Sequence, residues 1–143
     1  MSAVPYQHPS YKYKRIKLPY ELNDLEPYVY FKTMYYHYEI LHKNYEVKLN
    51  ETLRGTGIEK QFDSLEELME NLENLPEEIK NDVRFFGGGL VNHNFFFTHL
   101  IKKDNLEKKI SSELLNAINN EFDNLDNLKN RLLKNALKIR GSG

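Results

Sequence analysis

Gly87-Gly88-Gly89-Leu90-Val91-Asn92-His93 is the stretch on which the fold turns. Three consecutive glycines ordinarily break a helix, since each is about 1 kcal/mol less favourable there than alanine. Yet Val83, Phe86, Leu90, His93, Phe97 and Leu100 keep the spacing of a single helical face straight through them. The pattern predicts one uninterrupted helix between Glu77 and Lys102. Its glycines would let another element approach the backbone closely.

A second helical pattern lies upstream. It opens near Pro27, runs through Met34, Tyr38, Leu41, Tyr45, Leu49 and Leu53, and ends at Gly55 and Gly57. Tyr35, Tyr36 and Tyr38 put aromatic surface on most of its sides, and such a helix is normally covered on several faces. Between the two patterns, Ser64-Leu65-Glu66-Glu67 reads as a capping box. Leu65, Leu68, Met69 and Leu72 follow at helical spacing, and Pro76 closes that segment.

Two shorter amphipathic segments come last, with Leu114, Leu115, Ile118 and Phe122, then Leu125, Leu128, Leu132 and Leu133. Residues 1–24, with prolines at 5, 9 and 19, read as extended. No strand alternation of any strength appears. The fold class expected is all-α: a long antiparallel helical hairpin plus short C-terminal helices.

With 143 residues, 40% of them apolar and 29% charged, the chain is long enough for one domain with a core. It contains no cysteine, which excludes disulfides, thiolate zinc sites, iron–sulfur clusters and a thiol nucleophile. No apolar stretch approaches transmembrane length, so no membrane span is expected. A net charge of −1 argues against binding nucleic acid through the whole surface, leaving only indirect association. Charge is uneven, however. Lys12, Lys14, Arg15 and Lys17 make a basic, acid-free start, which fits a targeting segment or a partner-binding extension. The organisation expected is a basic extended segment over residues 1–17 and a helical domain over residues 18–143.

Few residues carry chemistry. The glycine run lacks the Lys-Ser/Thr of a phosphate loop, and no two of the five histidines stand four apart as in a single-helix zinc site. His37 and His93 remain, one on each long helix. A histidine on such a face most often just packs and hydrogen-bonds; two that face each other would be half of a metal site. His37, Leu41 and Tyr45 lie one helical turn apart on one stripe, which would give a ligand an apolar wall and a neighbouring phenol.

At this point the residues resemble a known family. Leu25-Glu26-Pro27, Thr33-Met34, His37, Tyr45 and Leu49-Asn50 are similar to the N-terminal helix of iron/manganese superoxide dismutases. Ser64 to Leu68, Leu75-Pro76, Val83-Arg84, the three glycines, Asn92-His93 and Phe96 continue the likeness in order. Phe122, Asp126, Leu128-Lys129 and Gly141-Ser142-Gly143 extend it to the C-terminus.

The resemblance implies a redox metal, manganese or iron, held by three histidines, an aspartate and solvent, that disproportionates superoxide to oxygen and hydrogen peroxide. By position, His37 and His93 match the two ligands of the helical domain, and Tyr45 matches the gateway tyrosine. The glycines before Asn92 look like the manganese type. The other aspartate and histidine would belong to a C-terminal α/β domain that this sequence does not contain. Leu41 stands in place of a channel histidine, Phe97 in place of a tryptophan and Tyr38 in place of a further histidine, while His42 keeps one nearby.

Two expectations follow. Either a second chain completes the site and the pair is a dismutase, this chain being inactive alone, or the chain is an inactive, dismutase-derived structural subunit of a larger assembly. The family has precedent for the latter in mitochondrial ribosomes, so a mitochondrial location, in a ribosome or respiratory complex, is expected. A fragment of an ordinary enzyme is the third reading. The first two both need a partner over the aromatic face, because Tyr35, Tyr36, Phe95, Phe96 and Phe97 cannot all be buried between two helices. At roughly 25 cal/mol per Å2, covering several aromatics contributes several kcal/mol, comparable with the stability of a small domain. The isolated chain is therefore expected to be poorly soluble. Light scattering that found a monodisperse monomer at high concentration would contradict this.

Overall fold

A computed structural model describes residues 11–102 and 110–139. The start of the basic extension, residues 1–10, and the terminal Gly141-Ser142-Gly143 lie outside the described residues. The chain divides into two compact units, Met1–Asn105 and Leu106–Gly143. All regular elements among the described residues are helical.

The first unit is built on two rods. One consists of α1 (Phe31–Met34), a π-helical turn (Tyr35–His42) and α2 (Lys43–Leu53) in direct succession. It starts later than Pro27. Residues 25–29 instead form a turn, in which Tyr28 and Val29 both donate their amides to the Leu25 carbonyl. Gly55 and Gly57, at φ 76° and 79°, carry the chain out of α2 through a conformation that favours glycine.

Next comes α3 (Leu65–Glu70), whose capping Ser64 Oγ accepts from the Glu67 amide at 3.0 Å. The Glu67 carboxylate does reach back, but to the Asp63 amide at 2.7 Å. Pro76 does not close this helix. A 3-10 turn (Leu72–Asn74) intervenes, and Pro76 opens the next rod, its carbonyl accepting from Ile79 and Lys80.

That rod is α4 (Glu77–Thr98), which passes through all three glycines unbroken and ends short of Lys102. The rods run antiparallel: His37 lies against Phe96 and Phe97, His42 against His93, and Leu49 beside Gly87. Close approach explains the glycines. A Cβ on Gly89 would stand 2.8 Å from Tyr45 Cγ, with Cδ1 and Cε1 nearer still. One on Gly87 would meet Met69 Sδ at 2.5 Å, whereas one on Gly88 would find only Met69 Cε at 3.9 Å.

Two apolar clusters form the interior of this unit. One gathers Leu49, Leu53, Leu65, Leu68, Val83 and Leu90; the other gathers Tyr20, Leu25, Met34 and Phe97. Residues 12–16 are strapped across the rods by side chains acting as backbone partners. The Asn50 carboxamide accepts from the Lys12 and Tyr13 amides and donates to the Tyr13 carbonyl. Asn94 Oδ1 accepts from the Ile16 amide at 3.0 Å.

The second unit pairs α5 (Ser112–Phe122) with α6 (Leu125–Ala136). Ser111 and Asn124 cap them, accepting from the Leu114 and Asn127 amides. Ile118 is buried, whereas Leu114, Leu132 and Leu133 are exposed. No helix among the described residues is long and apolar enough to cross a membrane. On the first unit Tyr35, Tyr36, Phe95 and Phe96 are exposed, but Phe97 is fully buried.

The glycines are therefore not equivalent. Gly88→Ala should raise stability by up to about 1 kcal/mol, since it removes backbone freedom at no steric cost. Gly89→Ala should lower it by about 1–3 kcal/mol, because the Tyr45 ring has to move. Urea titrations of the two variants check the sign at each position.

Candidate metal centre

His93 sits on α4, one turn after Gly89, and its Nδ1 lies 2.7 Å from the Gly89 carbonyl. A carbonyl only accepts, so Nδ1 carries a proton, and in the neutral ring the lone pair is then on Nε2. Local helix geometry alone thus prepares one nitrogen for a ligand. The His37 ring, on the π-helical turn, stands edge-on to it with centroids 4.9 Å apart. Tyr45 also packs against His93, with ring centroids 5.0 Å apart. All three residues singled out from the sequence come together.

Burial, and secondarily the positive charge His93 would carry, push the His37 pKa below that of a free histidine. The neutral ring is the form that binds a metal. Phe96 and Phe97 pack against it at 5.1 and 5.0 Å, making an apolar wall.

One part of the expected arrangement is not found. The stripe His37–Leu41–Tyr45 assumed α-helical register, but the backbone here is π-helical, with hydrogen bonds closing five residues apart. Leu41 is 54% exposed, and His42 is fully buried instead. In that register residues five apart share a side, so His37 and His42 both reach His93, the second with ring centroids 5.5 Å apart. His42 also stacks on Phe97 at 5.3 Å. The five-residue separation of His37 and His42, and the family likeness that leaves His42 as a nearby histidine, were the signals of this in the sequence.

His42 is unusual chemically. Neither ring nitrogen has a hydrogen-bond partner among the described residues. Burial, assisted by the charges of His93 and Arg15, holds its pKa at about 4. The Asn94 carboxamide opposes this, but it is already committed to Ile16 and Lys14.

The donor set fits half of a site for a borderline transition metal. Two imidazoles converge beside an apolar wall and a phenol, matching the nitrogen part of a nitrogen–carboxylate shell. No group of three or more His, Cys, Asp or Glu among the described residues could hold a metal ion. Any remaining ligands have to come from elsewhere.

Comparison with known proteins identifies relatives of the chain. The family described as iron/manganese superoxide dismutases, alpha-hairpin domain, matches residues 12–101. The Mn/Fe superoxide dismutase 2 of Staphylococcus aureus, in strains Mu50, N315 and MW2 alike, is 37% identical over 131 residues. That alignment covers 92% of this chain but 63% of the relative, so the chain spans a little under two thirds of the proteins it matches.

His42 makes the hairpin acid-sensitive. Its folded pKa of about 4 lies below the 6.5 of a free histidine, so the folded chain binds fewer protons than the unfolded one. The stabilisation is fully present above pH 6.5 and is lost as pH falls toward 4, by about 3 kcal/mol at most. Denaturation midpoints over that window should fall for the native sequence, and His42→Leu should remove this component of the slope.

Proposed function

The chain belongs to the iron/manganese superoxide dismutase family through its α-hairpin domain, and on that basis we propose that His37 and His93 are two ligands of a shared redox-metal site. An aspartate and a third histidine from outside the described residues, on a second polypeptide or on further sequence, complete it. Completed, the site disproportionates superoxide to oxygen and hydrogen peroxide; alone, this chain does not. The observation that carries the reading is the His37–His93 ring pair, with His93 Nδ1 already tied to Gly89.

Bound manganese or iron would supply one-electron oxidation and reduction of superoxide in alternation. The chain's own residues have narrower tasks. The Gly89 carbonyl fixes the His93 tautomer and aims its Nε2. Burial keeps His37 neutral and available as a donor. Phe96 and Phe97 exclude water on one side of the imidazoles. Tyr45, held against His93 by the clearance at Gly89, puts a hydroxyl beside the ligand, where it can hold water and gate access.

A second reading makes the chain a structural subunit, inactive and docked through its aromatic face. The exposure of Tyr35, Tyr36, Phe95 and Phe96, with Leu41 in place of a channel histidine, favours it. Metal analysis of the native complex separates the two. Under the first reading the complex carries about one manganese or iron per chain, and His93→Ala reduces both metal and dismutase activity to background. A metal-free complex whose assembly tolerates His37→Ala would establish the second reading instead.

A further inference from the structure

We propose that Arg15 is a positioning residue, which splints the π-helical turn in the register that sets His37 and His42 against His93. The inference rests on the half-site reading for its functional meaning, but its geometry stands independently of any metal. A π-helical run of eight residues is long for a conformation found mostly as single-turn bulges, and no side chain caps its start. Something outside the rod has to favour it over the α-helical alternative.

Arg15 is the group placed to do so. Its Nη1 donates to the Tyr38 carbonyl at 2.7 Å. That oxygen also takes the amide of Lys43, the five-residue bond that closes the turn. The guanidinium plane lies over the Tyr38 ring, 4.4 Å from its centroid. Two carboxylates grip it from either side of the π–α junction: Glu39 within the turn at 3.5 Å, and Glu46 on α2 at 3.3 Å. The Arg15 amide also donates to Glu46 at 2.9 Å, and Tyr38 Oη donates to the Ile16 carbonyl at 2.7 Å.

Only a planar, forked cation serves the carbonyl, the ring and both carboxylates together. A lysine ammonium is a compact point charge and cannot make the same set of contacts. With the guanidinium side chain 16% exposed and that of Glu46 15%, these contacts are shielded more than an ordinary surface ion pair. In α-helical register Tyr38, Glu39 and Glu46 would present a different set of groups to the strap, and His42 would turn away from His93. Arg15 thereby links the N-terminal strap to the spacing of the imidazoles.

Hydrogen exchange read by mass spectrometry on the full chain tests this without metal. Arg15→Ala and Arg15→Lys should each speed amide exchange about tenfold or more in peptides covering residues 35–43. Peptides covering residues 84–92 of α4 should change little. Tyr13→Phe, which loosens the strap at its Phe62 contact only, serves as control and should leave residues 35–43 protected. The proposal is overturned if Arg15→Lys exchanges like the native chain, or if protection falls equally across both peptides. Should Arg15→Ala not fold, Arg15→Lys alone decides. Parallel titration with Mn2+ separates this inference from the half-site reading: a native chain and complex that take up no Mn2+ would remove the metal and leave the exchange result standing.

Discussion

Everything at the candidate centre depends on the clearance between α4 and the Tyr45 ring. With a hydrogen in place of a side chain at Gly89, the Tyr45 ring comes up against the backbone of α4 and the two rods close to imidazole contact. The same residue supplies the carbonyl that fixes the His93 tautomer. A bulkier residue there would displace the phenol and tilt the rods apart together. Packing and ligand chemistry are therefore set at one position, because small residues permit the shortest interhelical approach.

The π-helical turn is the second determinant, and it acts on a different link. It changes which side chains share a face, replacing Leu41 with His42 in the interior. The result is a layer of rings, His37, His42, His93 and Phe97, at the junction of the two apolar clusters. Buried histidines without partners are costly, since the polar nitrogens lose water and gain nothing. The structure retains His42 in that state, with Tyr38 and Phe97 packed on it. Its neutrality follows from the same burial.

Much of this was legible in the residues because it follows from spacing. The 3–4 periodicity through Gly87–Gly89 outweighs the intrinsic preference of glycine, and α4 is continuous for that reason. The Ser64 cap and the glycine exit after α2 are local chemistry and read directly. The start of the first rod did not, since Pro27 suits a helix N-terminus and a turn equally well. The exchange of Leu41 for His42 was out of reach for another reason. Periodicity analysis assumes one helical pitch, whereas the pitch of residues 35–42 coincides with contacts from a strap more than twenty residues away in sequence. The pairing of His37 with His93 was visible as a possibility in two helices; its distance required the packing.

The strap has a consequence for the order in which the molecule can be made. Residues 12–16 leave the ribosome before any of their partners, which lie between 22 and 80 positions downstream. Closing loops of that length adds little entropy cost per residue, but it cannot be completed until the last partner exists. Ile16 finds its acceptor only when Asn94, the neighbour of His93, has been synthesised. The strap, made of the first described residues of the chain, is thus complete only once α4 has been made. Arg15 can meet Tyr38, Glu39 and Glu46 as soon as the first rod exists, whereas the Asn94 contacts of Lys14 and Ile16 wait for the end of α4. Coupling the earliest segment to the last helix of the unit makes the completed hairpin, rather than any part of it, the smallest piece in which this geometry exists.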